Sequence, residues 1–206
     1  MTSPTRGPAA SSAEGRPVLS CRGVSVRFGG VQALTEVDFA AGEGRISALI
    51  GPNGAGKTTL LNVLSGVTPP TKGRTFLGES DVTMRPPHQR GRLGVIRTFQ
   101  NLEVFASMTA LENVMTGCHR LGGCSILDSL VKTPRWRAVE RRYAELAEAA
   151  LDLVGLGGEG AASAGEMPYG KLRLLEIARA VVSRPRALLL DEPAAGLNIR
   201  ETRDLG

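Results

Sequence analysis

Gly51-Pro52-Asn53-Gly54-Ala55-Gly56-Lys57-Thr58-Thr59 is the stretch on which the reading of this 206-residue chain turns. It has the form G-x-x-x-x-G-K-[ST]. Glycines at 51, 54 and 56 let the backbone wrap closely and aim successive N–H groups inward, which makes the loop a nest for an anion. A helix opening near Gly56 adds its positive end to the same nest. Lys57 supplies a point charge for β- and γ-phosphates, and Thr58 a hydroxyl for Mg²⁺. So short a pattern arises by chance on the order of once per hundred chains, and its surroundings therefore matter. Ile46-Ser47-Ala48-Leu49-Ile50, just before it, is an apolar run that predicts a buried parallel strand. Leu60, Leu61 and Leu64, just after it, recur at helical spacing. Strand, glycine loop and helix are the context that the motif requires.

Length and composition bound the rest. A chain of 206 residues suffices for one good-sized domain. No apolar stretch nears the ~18 residues of a membrane span, and no signal-peptide core is present. The net charge is +5, and of 25 basic residues only four are lysines. In sequence the basic residues form no stripe, so a solvated surface is expected and no nucleic-acid partner. Cys21, Cys118 and Cys124 form no C-x-x-C pair and fit reduced thiols. His88 and His119 have no ligand partners at metal spacing and read as surface residues.

Outward from the loop, residues 1–16 have the composition of a disordered tail. Residues 18–28 are strand-like, with Val24, Val26 and Phe28 alternating before Gly29-Gly30. A second strand is expected around Val37-Asp38-Phe39, with a turn at Gly42-Glu43-Gly44. Gly94 to Gln100 reads as another strand. From Thr109 to Val154 the pattern is helical, closed by Gly155-Leu156-Gly157-Gly158. A further helix is predicted from Tyr169 to Ser183, stopped by Arg184-Pro185 and followed by a buried strand, Ala187 to Leu190.

That last strand ends in Asp191-Glu192. Beside a phosphate loop, Asp191 can hold Mg²⁺ directly or through water, and Glu192 is placed to polarise an attacking water as general base. Taken alone, the pair reads equally as a strand ending in solvated acids. Lys57 and Asp191 lie 134 residues apart, more than a compact βαβ nucleotide-binding core needs, and an inserted helical subdomain accounts for the excess.

With these residues in place, the chain resembles the ATP-binding subunits of ABC transporters over nearly all of residues 18–205. Phe28 matches the aromatic that stacks on adenine, and Gly51 to Thr59 the phosphate loop. Gln100, in Arg97-Thr98-Phe99-Gln100, matches the glutamine that senses Mg²⁺ and the attacking water. Pro168-Tyr169-Gly170-Lys171 sits at the family's signature, Asp191 and Glu192 at its metal-site acid and catalytic base, and Ala195-Gly196-Leu197-Asn198 at its dimer-contact loop. The resemblance is finer still to the branched-chain amino acid import subgroup. It implies an α/β fold: a P-loop NTPase core of the RecA type, with an N-terminal antiparallel β subdomain and a helical subdomain, about 101–183, inserted in a domain spanning 17–206. It implies ATP and Mg²⁺ as cofactors. Glu192, Gln100 and Lys57 would be catalytic, and Thr58, Gln100 and Asp191 would stand at the metal. Phe28, residues 51–59, Gln100, Tyr169, Gly170, Lys171 and Asn198 would bind nucleotide. The implied partners are a second ATP-binding subunit, membrane permease subunits and, indirectly, an extracytoplasmic solute-binding protein, at the cytoplasmic face of the membrane.

The sequence also departs from that pattern. Pro168 replaces the signature serine and offers neither hydroxyl nor N–H, although its fixed φ suits a helix start. Lys171 replaces the usual glutamine and would add charge near the phosphates, and Asn198 stands where the wider family has aspartate. The family's switch histidine and a central strand lie beyond Gly206, so C-terminal strands are expected to be missing and the chain to be a fragment or truncated product, poorly stable and weak in hydrolysis alone. Two other readings compete: a soluble ABC protein of translation or DNA repair, and a nucleotide-binding module with little or no hydrolysis.

Overall fold

The structure, a computed structural model, describes residues 17–98, 102–122 and 132–192. Two compact units divide at Arg90 and Gly91. The expected tail, Phe99-Gln100-Asn101 and the loop through Asn198 lie outside the described residues.

The first unit is built on an antiparallel sheet. Strands β1 (Pro17–Phe28) and β2 (Val31–Gly42) form a long hairpin, and β3 (Lys72–Leu77) and β4 (Ser80–Asp81) complete the order β2-β1-β3-β4. β1 is central, flanked by β2 and β3. Its Leu19, Cys21, Val24 and Val26 are buried, with Leu77 and Val82 beside them in the core. This is the predicted antiparallel β subdomain. Helix α1 (Lys57–Ser65) lays Leu60, Leu61, Val63 and Leu64 into the same core, as the leucine spacing predicts, and it touches β1 and β2. Burial pushes the Cys21 thiol up to about 11, so it is an inert part of this packing.

The predicted phosphate-loop strand does not form. Residues 45–50 carry no strand pairing among the described residues, and Ile46 and Ile50 are almost fully exposed. An apolar run becomes a strand only when a neighbouring edge satisfies its N–H and C=O groups, and nothing described supplies one here.

Helix α2 (Pro87–Leu93) crosses the division between units. The second unit pairs β5 (Val95–Arg97) in parallel with β6 (Ala187–Leu189). Its helices are α3 (Ala110–Thr116), a 3₁₀ turn at Gly117–Leu121, α4 (Pro134–Leu153), a second 3₁₀ turn at Ala164–Glu166, and α5 (Tyr169–Val181). The single helical stretch expected from Thr109 to Val154 is thus interrupted. α3 starts on a reciprocal cap: Thr109 Oγ1 accepts from Glu112 N–H, while Glu112 Oε2 accepts from Thr109 N–H. It ends at Gly117, where the chain meets α5. A Cβ at Gly117 would stand 2.1 Å from the Arg179 carbonyl oxygen and 2.7 Å from Val182 Cγ1. The core of α3, α4 and α5 joins Val114, Cys118, Ala147, Leu151, Leu156 and Leu175, all buried. Gly117→Ala therefore forces α3 and α5 apart, with an expected loss of about 1–3 kcal/mol on chemical denaturation. An unchanged midpoint would show that the contact is slack.

Candidate functional site

In the first unit, Gly56 fixes the geometry of the phosphate loop. It precedes α1 with φ 84° and ψ 9°, a left-handed conformation that favours glycine. A Cβ there would lie 2.7 Å from Leu34 Cδ2 and 2.8 Å from the Ala33 carbonyl oxygen, so the loop rests directly on β2. Gly54 is also left-handed, at φ 80°. Inside the loop Ala55 N–H donates to the Pro52 carbonyl at 3.2 Å, and no side chain caps the start of α1. The first-turn N–H groups of α1 are thereby left for an external acceptor. Lys57 Nζ lies across the loop, donating to the Gly51 and Pro52 carbonyls at 2.7 and 2.9 Å. Gly51 to Ala55 and Thr58 are exposed.

Phe28 belongs to the same frame. It ends β1 opposite Val31, across the Gly29-Gly30 turn, and is 51% exposed. Val31 is only two residues from Ala33, against which Gly56 packs, which is ~7 Å along a strand. An exposed aromatic ring and the glycine loop therefore both rest on the β1–β2 hairpin, close together in its register.

In the second unit, Asp191 follows β6 and Arg97 ends β5. Arg97 Nη2 donates to Asp191 Oδ2 at 2.8 Å, and both side chains are buried. The sequence reading placed Asp191 at a metal but missed Arg97 as its partner. Parallel pairing of Arg97 with Leu189 is what brings the two together. Glu192, next in the chain, is exposed and holds φ 48°. A non-glycine residue there costs of order 1 kcal/mol, the kind of strain that gathers at functional turns.

The signature segment begins α5. Pro168, at φ −57°, is the residue before its first turn, no side chain caps it, and its carbonyl accepts from Leu172 N–H at 3.0 Å. The proline thus fits the helix start as expected. Tyr169 is half-exposed with the Arg173 guanidinium 5.7 Å from its ring centre, and Gly170 is buried. Lys171, expected to add charge near phosphates, instead donates to both carboxylate oxygens of Glu159 at 2.8 Å, because that acid lies within reach on the preceding loop. His88 and His119 are exposed, as read. Among the described residues no cluster of His, Cys, Asp and Glu forms a metal cage.

Three further residues organise these segments without having been singled out in the sequence. Arg90 is buried in the first unit and donates to backbone carbonyls. Asn113, also buried, accepts from Phe105 N–H and donates to the carbonyls of Phe105 and Thr109, which pins the loop carrying Phe105. Arg120 Nε donates at 3.0 Å to the Ser183 carbonyl just beyond α5. A buried cation is rare enough to be a signal, but only burial reveals it.

Residues 34–195 match the model of the family described as ABC transporter. The high-affinity branched-chain amino acid transport ATP-binding protein BraF of Pseudomonas aeruginosa is 46% identical over 190 residues, 92% of this chain and 74% of that protein. LivG of Escherichia coli K12, with the same description, is 40% identical over the same shares. Among solved structures, the ADP conformation of MJ1267, an ATP-binding cassette of an ABC transporter, superposes with a TM-score of 0.77 at 32% identity, over 92% of this chain and 74% of that one. A nucleotide-free cassette from an ABC transporter gives 0.75 at 32% identity.

Two outcomes check the site. Gly56→Ala brings a methyl onto β2 and should weaken ATP binding at least tenfold by fluorescence titration, whereas unchanged affinity would show that the loop tolerates displacement. Arg97→Ala leaves a buried carboxylate uncompensated and should cost about 3–5 kcal/mol of stability. Arg97→Ala paired with Asp191→Ala should recover part of that loss on the same denaturation curve.

Proposed function

This chain belongs to the ABC transporter family, and we propose that it is the ATP-hydrolysing subunit of an importer for branched-chain amino acids or a related small solute. The observation that carries the reading is the half-site of the first unit: Phe28, the glycine nest and the orphan amides of α1 on one β1–β2 frame. The names of its relatives at 46% and 40% identity support the solute class.

Each residue has a role in this reading. Phe28 stacks on the adenine ring. The N–H groups of residues 54–58 and the Lys57 ammonium hold the β- and γ-phosphates and offset the charge that shifts onto them. The Thr58 hydroxyl of the first unit and the Asp191 carboxylate of the second, whose Oδ2 is held by Arg97, are each proposed as an oxygen donor to Mg²⁺, a hard cation that takes such ligands. When bound, the ion neutralises phosphate charge. Gln100 is proposed to contact it as well. Glu192 accepts the proton of the attacking water. The uncapped N-terminus of α5, with Tyr169 and Gly170, and the loop ending at Asn198 meet the ATP of a second ATP-binding subunit. Lys171 acts there only if it leaves Glu159.

Among the described residues no helix is long and apolar enough to cross a membrane. Coupling is proposed to run through docking on permease subunits at the cytoplasmic face, with the solute delivered by an extracytoplasmic binding protein, a reading that the names of the relatives support. A cavity of about 410 Å³ in the second unit, bordered by Ile96, Thr98, His119, Arg120 and Arg179, is the proposed seat for a permease segment. Exposed Phe105, whose ring lies 5.8 Å from the Arg179 guanidinium, extends it.

A non-hydrolysing nucleotide module is the second reading. The hold of Arg97 on Asp191 and the loss of the signature hydroxyl at Pro168 favour it. Glu192→Gln distinguishes the two. With permease and partner subunit present, the importer reading expects ATP turnover to fall at least 100-fold while ATP binding persists. Turnover equal to that of the unaltered chain would remove Glu192 from the chemistry.

A further inference from the structure

Helix α1 is only nine residues long, and both of its ends are specialised. Its first turn carries Lys57 and Thr58 of the phosphate loop. Its last turn is closed by Gly66, whose left-handed φ of 84° lets its N–H reach back to the Val63 carbonyl. The Arg90 guanidinium completes the closure from α2. Nη1 donates to the Val63 carbonyl at 2.7 Å and the Leu64 carbonyl at 2.8 Å. Nη2 donates to the Thr83 carbonyl at 2.9 Å, and Nε to the Arg85 carbonyl at 3.0 Å. Arg90 is 1% exposed. Among the described residues it forms no ion pair, so backbone carbonyl dipoles solvate its charge. A Cβ on Gly66 would sit 2.7 Å from Arg90 Nε, so glycine and arginine fit one another.

Burying a guanidinium without a carboxylate is expensive, and filling a gap in a core would not require one. The charge makes sense at this place. The C-terminus of a helix is its negative end, where a cation is stabilising. A nine-residue helix is too short to persist unless its ends are held. Fraying of the last turn would leave under two turns to support the amides at the other end.

We propose that Arg90 is a positioning residue for nucleotide binding: it clamps the C-terminus of α1 and so holds the first-turn amides and Lys57 at the opposite end in their phosphate-binding arrangement. The inference rests on the reading of residues 51–58 as the ATP phosphate site. Arg90 touches no nucleotide and acts through the helix. Lysine can supply the charge but cannot span four carbonyls from one nitrogen, so it should rescue only in part.

The test compares Arg90→Met, Arg90→Lys and a control, Leu77→Ala, a buried residue of β3 in the same unit. ATP affinity is titrated well below each melting temperature, and amide hydrogen exchange is followed over residues 57–61. Arg90→Met should weaken ATP binding at least fivefold and speed exchange at Lys57 to Leu61. Arg90→Lys should fall between it and the unaltered chain, and Leu77→Ala should stay within twofold despite its lower stability. If Arg90→Met does not fold, Arg90→Lys carries the comparison. Unaltered affinity with unaltered exchange in the arginine variants would overturn the proposal, as would an equal effect of Leu77→Ala. Failure of the unaltered chain to bind ATP would instead reject the phosphate-site reading, while the exchange measurement would still decide whether Arg90 governs the far end of α1.

Discussion

A helix cannot satisfy its own first-turn N–H groups, and at α1 the chain leaves them without a capping side chain. The rest of the first unit serves that one condition. Gly56 takes a left-handed conformation and packs so closely on Ala33 and Leu34 that no side chain fits between the loop and the sheet. The β1–β2 hairpin that provides this footing also ends in Phe28. The phosphate loop and Phe28 therefore rest on one piece of antiparallel sheet, the frame on which a nucleotide half-site is proposed.

Arginines tie the remaining segments together. Arg90 closes the end of α1, and Arg97 fixes Asp191 across the parallel pair β5–β6. Arg120 ties the residues beyond α5 to the 3₁₀ turn that follows α3. Arg90 and Arg120 each use a guanidinium that makes several directed bonds from one plane, which suits places where carbonyl oxygens converge. In the same way α5 starts with an uncapped turn at Pro168 and is tied at its far end, an arrangement parallel to that of α1.

Much of this was legible in the residues. The loop pattern with leucines at helical spacing identifies α1, alternation identifies β1, and Arg184-Pro185 marks the end of α5 near where it falls. These are local signals, carried by steric limits on glycine and proline and by helix and strand periods. What was not legible depends on contacts distant in sequence. Ile46 to Ile50 has the composition of a buried strand, yet pairing makes a strand, and residues 45–50 find no partner among the described residues. The close approach of Gly117 to the Arg179 carbonyl of α5 is likewise invisible to sequence spacing. Lys171 looked like a free charge until Glu159 was found beside it. Arg90 looks in sequence like any other basic residue of an arginine-rich chain. The reciprocal cap at Thr109 and Glu112 stands where the long helical stretch was expected to begin.

Phosphates, held by the amides and lysine at the start of α1, are proposed to carry the binding of the nucleotide. The most direct measurement is the affinity of the chain for ATP set against its affinity for AMP, titrated with the same fluorescent base label at one salt concentration. Because the nest and Lys57 act on the β- and γ-phosphates, ATP should bind at least 100-fold more tightly than AMP, a gap of about 2.7 kcal/mol. Equal affinities would contradict the account, since they would place the binding energy on the base and leave the loop at Gly51 to Thr58 without a ligand.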